Sequence, residues 1–262
     1  MRSVYAVYRK EMGNYFVSPI AYVVVGVFLL LSAFFFNRIL GYWIQQSFTM
    51  EMQSMRFGMP PEMDVPSRVM QSFFGILSSL ILFLTPALTM GVYAEERKRG
   101  TMELLLTSPI TEIEIVLGKF FASLSLFAIM LLPTASYLAF MYFRSDPRPP
   151  WSLLLAGYGG VILMGASILA LGSFISSLTE NQLIATVLTF AAVLILWVLD
   201  FGASGTQGAL TQVLAYLSII QHYQDFTRGV VDTSGLIYYV SFVVLFLFLT
   251  VRSLDSMRWR RA

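Results

Sequence analysis

The feature that most restricts what this chain can fold into is repeated along it: uninterrupted apolar stretches of bilayer-crossing length, set apart by short polar breaks. A hydrocarbon core about 30 Å thick is crossed by a helix of roughly 17 to 25 apolar residues. Six stretches reach or come within a residue of that length, 20–43, 69–92, 115–142, 151–178, 182–199 and 236–251. The composition agrees, with 57% hydrophobic and 12% charged residues, where soluble domains run at about 45–50% and about 25%. The expected fold is an all-α integral membrane domain filling 1–262, with the bilayer as its main solvent.

The breaks add detail. In 1–17, Tyr5, Tyr8, Met12 and Tyr15 recur at helical spacing while Arg9, Lys10, Glu11 and Asn14 fall on other faces, which predicts an amphipathic helix lying at the membrane interface. Ser18 and Pro19 supply a cap and a tolerated first position for the next helix. Arg2, Arg9 and Lys10 ahead of an apolar run imitate a signal peptide, but the run has full span length and no small-residue cleavage site, so a retained first span is expected. Residues 44–68 are polar and hold Pro60, Pro61 and Pro66, which reads as a loop. Residues 200–235 are mixed, with Leu210, Val213, Leu214 and Leu217 in helical register. Within 151–178 the pairs Ala156 and Gly160, Ala166 and Ala170, Ser173 and Ser177 predict close helix packing.

Lysine and arginine set the orientation. Arg2, Arg9, Lys10, Arg97, Lys98, Arg99, Lys119, Arg252, Arg258, Arg260 and Arg261 give eleven on one side, against Arg38, Arg56, Arg68, Arg144, Arg148 and Arg228, six, on the other. Both termini are therefore expected in the cytoplasm, with 44–68 and 200–235 outside.

Several function classes find no support. With no cysteine and one histidine, His222, thiol chemistry and a multi-histidine zinc site are excluded. A net charge of +2 without a basic patch gives nucleic-acid binding no footing. The nearest approach to a phosphate-binding loop, from Gly160 to Ser167, has Ala166 where lysine is required and lies inside a span. Ion-coupled carriers keep ionisable groups at mid-membrane, and here Glu180 and Asp200 sit at span ends; no buried charge is expected within the spans. No nucleophile–base pair can be assembled inside them either. Met50, Met52, Met55, Met59, Met63 and Met70 have thioethers that suit Cu(I), or that simply fill irregular apolar contacts. We expect no stoichiometric copper.

The most informative segment joins the second and third spans, Tyr93-Ala-Glu-Glu-Arg-Lys-Arg-Gly-Thr-Met-Glu-Leu-Leu-Leu-Thr-Ser-Pro109. Gly100 frees the backbone, Thr101 is placed to cap a short helix, Glu103 suits its first turn, and Ser108 with Pro109 ends it. Leu104, Leu105 and Leu106 would form an apolar surface outside the hydrocarbon. Thr111 with Glu114 reads as a capping box for the third span and Ile110 with Ile115 as its hydrophobic staple. Such a stiff element suits docking to a partner protein, or else lies on lipid.

Glu95-Glu96-Arg97, Gly100-Thr101-Met102-Glu103-Leu104-Leu105 and Ser108-Pro109, with Lys119 ten residues on, resemble the signature of ABC-2 type exporter permeases. The six-span layout and the outer segment with His222, Phe226, Gly229 and Asp232 are similar to that family as well, with the gliding-motility and nitrous-oxide-accessory permeases as the nearest subgroup. The resemblance implies an inner-membrane permease that pairs with a second permease and with a separate ABC ATPase subunit dimer, which carries the ATP and Mg. This chain would bind no cofactor and catalyse nothing. A periplasmic accessory protein is a further expected partner. Glu95, Glu96, Arg97, Gly100, Thr101, Glu103, Leu104, Leu105, Ser108 and Pro109 would then form the coupling helix, with the outer segment a helix capping the exit. Ser78, Thr85, Thr89, Thr186, Thr189 and Phe190 would line a route. The alternative function is a force-transmitting or scaffolding membrane subunit driven by the same kind of ATPase without cargo.

Overall fold

The computed structural model describes residues 2–57, 64–103, 110–203 and 216–259. Every regular element among them is helical: α1 (Arg2–Val17), α2 (Pro19–Phe57), α3 (Val65–Thr89), α4 (Ala94–Lys98), α5 (Glu112–Leu131), α6 (Ala135–Arg144), α7 (Trp151–Leu178), α8 (Gln182–Ala203), α9 (Gln221–Thr227) and α10 (Thr233–Trp259). Six helical stretches among the described residues are long and apolar enough to cross a membrane, and they correspond to α2, α3, α5 with α6, α7, α8 and α10.

The centre of the bundle is α7, buried along nearly its whole length. Its glycines explain why. A side chain at Gly157 would strike the Phe74 ring at 2.4 Å, at Gly165 the Phe127 ring at 2.3 Å, and at Gly172 the Thr89 hydroxyl at 2.1 Å. Each missing Cβ receives a group from α3 or α5, so the backbones approach more closely than larger residues allow. The paired small residues expected along this span lie in the same tightly packed helix: Ala156, Gly160, Ala166, Ala170, Ser173 and Ser177 are all buried. By contrast α2, α8 and α10 turn much of their apolar surface outward, as Leu183, Val187 and Ile195 of α8 do.

Three boundaries depart from the sequence reading. The stretch 44–68 is not loop throughout, because α2 continues as helix to Phe57. Its 39 residues span about 58 Å at 1.5 Å each, well beyond the hydrocarbon thickness. Composition marks where the apolar run stops, but a helix can continue into water. The third span is broken by a short 3₁₀ turn at Leu132–Thr134, where Pro133 lacks the N–H the helix needs. There Thr134 donates to Leu131 O at 2.7 Å and shares a 2.6 Å hydrogen bond with the Tyr158 hydroxyl. Finally, α8 runs to Ala203 and α10 opens at Thr233.

Candidate functional site

One end of the bundle gathers α1, α4, the start of α5, the α7–α8 connection and the last turns of α10. The turn leading into α4 is held by the end of α7. Ser176 Oγ accepts from the amides of Tyr93 at 3.1 Å and Ala94 at 3.2 Å, and donates to Met90 O at 3.0 Å. A serine from another helix thus satisfies amides that a helix start leaves free. Arg97 of α4 donates to Ser177 O at 2.7 Å and pairs with Glu180 at 3.1 Å.

After Arg99, which pairs with Glu95, the chain turns through Gly100 at φ +71°. That left-handed conformation strains any L-residue with a side chain. Thr101 and Glu103 are exposed, while Met102 turns inward to a small apolar cluster with Val92, Tyr93, Ile115, Val116 and Leu254. Ile110 packs on the same cluster. Leu104, Leu105, Leu106, Ser108 and Pro109 lie outside the described residues. Beyond them the expected capping box is present: Glu114 N donates to Thr111 Oγ1 at 3.4 Å and Thr111 N to Glu114 Oε2 at 3.2 Å. Arg258 near the end of α10 pairs with Glu112 at 2.6 Å.

Beneath α4 lies a group the sequence reading did not foresee. Lys119, 1% exposed, has three oxygen neighbours: Glu11 Oε1 at 2.8 Å, Glu96 Oε2 at 2.9 Å and Val92 O at 2.9 Å. Lys10 Nζ lies 2.7 Å from Glu96 Oε1 and 3.5 Å from Glu11 Oε1, so two cations and two carboxylates alternate around a closed ring. The Tyr93 ring lies 5.3 Å from the Lys119 ammonium. Burying such an ion costs several kcal/mol unless its partners are in place, which is why the charges come in opposed pairs. Partial burial pushes the Lys10 ammonium down, but its hydrogen bond to Glu96, the charge of Glu96 and the nearby Glu11 outweigh it and hold the pKa above the usual value. Two expectations are corrected here. The spans do contain a buried charge, although it sits in the opening turns of α5 and not at mid-membrane. Glu11, placed with Arg9, Lys10 and Asn14 on the faces away from the apolar stripe of the first helix, is buried together with Val7 where α1 packs against α5.

At the opposite end α9 closes the bundle. Phe226 and Tyr223 fill the space over Gly160, where a Cβ would lie 2.7 Å from Phe226. Gly229, at φ +82°, leaves only 2.9 Å between its would-be Cβ and the Leu153 backbone. His222 stacks on Tyr238 with ring centroids 4.0 Å apart and its Nδ1 3.0 Å from Ser218 O. The Ser234 hydroxyl, and next its amide, hold the Asp232 carboxyl below its usual range. Sequence thus brought His222, Phe226, Gly229 and Asp232 to one cap, but in different roles: packing for two, turn geometry for one, and local hydrogen bonding for the last.

The residues placed along a route divide. Ser78, Thr85, Thr89 and Thr189 are buried among helices of the chain itself, and Thr186 and Phe190 are part-exposed. The Ser78, Thr89, Thr186 and Thr189 hydroxyls donate to carbonyls of their own helices. Phe190 meets Phe83 of α3 at 5.6 Å.

Six spans, one of them the glycine-lined central helix α7, with an ionic cluster at one end and an aromatic cap at the other, describe a multi-pass membrane protein. The ABC-2 family transporter protein profile matches residues 5–254, nearly the whole chain, and the chain belongs to that family. It is 24% identical over 176 residues to the probable multidrug ABC transporter permease YbhR of Escherichia coli strain K12, and equally to that of Escherichia coli O157:H7. The matched stretch covers 65% of this chain and 45% of each relative, so the chain spans less than half the length of these curated relatives.

Proposed function

We propose that this chain is the membrane subunit of an ABC exporter, moving its cargo outward with ATP hydrolysed by separate ATPase chains and working as a pair with a second permease. ATP and Mg belong to those ATPases, and this chain catalyses nothing. The inner or plasma membrane is its site, with both termini in the cytoplasm, as the eleven-to-six excess of Lys and Arg supports. The relatives' name, multidrug ABC transporter permease, makes drugs one proposed class of cargo. A periplasmic accessory protein is a further proposed partner.

The observation that carries this reading is the way α4 is held. It is fixed to α7 through Ser176 and Arg97 and to α5 through Glu96, yet Lys98 and, in the turn that follows, Arg99, Thr101 and Glu103 are exposed. A segment rigidly joined to two spans and exposed on its other side transmits displacement, which a loose loop cannot. The segment Glu95 to Pro109 is therefore assigned to ATPase docking. Gly100→Pro tests it, since proline is locked near φ −65° and cannot take the observed +71°; Glu103→Lys reverses an exposed charge. Both variants should insert normally, yet lose the ATPase on purification or leave its activity unresponsive to the permease. Normal ATPase binding and full activity in both would refute the docking role. A responsive ATPase with no measurable cargo would favour force transmission over export.

A further inference from the structure

We propose that Lys119 is the positioning residue of a charged joint that makes α1 part of the moving body, so that displacement of α4 reaches α1 and, through Ser18, the first membrane-spanning helix. This rests on the reading of α4 as the ATPase-facing segment, and adds to it a second output.

The geometry is that of a joint between three helices. The ring Lys10, Glu96, Lys119, Glu11 draws two members from α1, one from α4 and one from α5, at 2.7, 2.9, 2.8 and 3.5 Å around its circuit. Packing alone already fastens α1 to α5: Val7 lies where a Gly118 side chain would be, at 2.7 Å, and the Tyr15 and Ser123 hydroxyls are 2.8 Å apart. What the ring adds is α4. Lys119 also holds Val92 O, at the turn just before α4. If attachment of α1 were the sole purpose, apolar residues of similar volume would serve as well or better, because buried ion pairs rarely add net stability. Charges fix register and orientation instead. From α1 the connection onward is short: Ser18 alone separates α1 from α2, and its N donates to Asn14 O at 3.0 Å. A shift of α1 therefore arrives at α2 with little slack.

The test uses the whole transporter with its ATPase, in inside-out vesicles. The double variant Glu11→Gln with Lys119→Met leaves Glu96 paired with Lys10, so it strands no buried charge. Because the chain has no cysteine, a single Val7→Cys reports whether α1 stays seated, Val7 being 5% exposed. Packing still seats α1 on α5 and the Lys10–Glu96 pair remains, so a membrane-impermeant maleimide should label that cysteine no faster than in Val7→Cys alone. The permease's effect on ATPase activity should nevertheless fall severalfold, because the buried cation that fixes Glu96 and Glu11 against α5 is gone, while the complex still purifies intact. An unchanged ATPase response would overturn the proposal, and so would faster labelling, which would make the ring the fastening of α1 and not its link to α4. So would failure of the double variant to insert or assemble, which would make the ring a folding element. Gly100→Pro separates the two readings: a response kept there defeats the α4 assignment itself, whereas a response lost there and kept in the double variant defeats only the joint.

Discussion

The two ends of this bundle are built on different principles. At the end carrying α9, close approach does the holding: Gly160 under Phe226 and Tyr223, Gly229 against the Leu153 backbone, and His222 face to face with Tyr238. At the end carrying α4, polar groups hold elements that are separate in sequence: Ser176 to the α4 amides, Arg97 to Glu180, Lys119 to Glu11 and Glu96, Arg258 to Glu112. Close-packed surfaces have one good arrangement and resist displacement. Buried charges instead fix the register and orientation of the separate elements that they join. On the proposed function, the polar end is where displacement from the ATPase would enter.

The largest effect should come from disturbing the packed end. Gly160→Leu inserts four carbons where even a Cβ lies 2.7 Å from Phe226, and overpacking of this kind costs about 3 kcal/mol or more. Thermal unfolding in detergent should show a marked fall in midpoint, with poor yield. A midpoint near wild type would mean that α9 lifts away easily, and the comparison would fail. A smaller effect is expected at the polar end from Ser176→Ala, which takes the acceptor from the Tyr93 and Ala94 amides at a cost of about 1–3 kcal/mol. Here the chain should remain folded, but hydrogen exchange at the start of α4 should rise. Protection unchanged at those amides would show that α4 is held without Ser176.

How much of this was legible in sequence follows the range of the interactions. The six spans were readable because each depends on local apolar length, and the Thr111 and Glu114 box because its partners are three residues apart. Gly100 was readable as a backbone breaker, whereas Gly229 stood out only within the family-like outer segment; both have positive φ. The helical end of α2 was missed because proline and polar residues mark the end of hydrophobicity, not of the helix. The Lys119 ring was missed for a different reason. Glu11 and Lys119 are separated by 108 positions, and no spacing rule joins them. The one available signal was a lysine within a predicted span, which requires a partner from elsewhere in the fold.

The central claim, that the α4 end meets the ATPase compartment, is tested most directly by site-specific labelling in intact cells. The cysteine-free background permits single replacements at Lys98 on α4 and Thr49 on the far extension of α2, both exposed. With a membrane-impermeant maleimide, Thr49→Cys should label in intact cells and Lys98→Cys only after permeabilisation. Labelling of Lys98→Cys in intact cells would place α4 outside, away from any ATPase, and contradict the account.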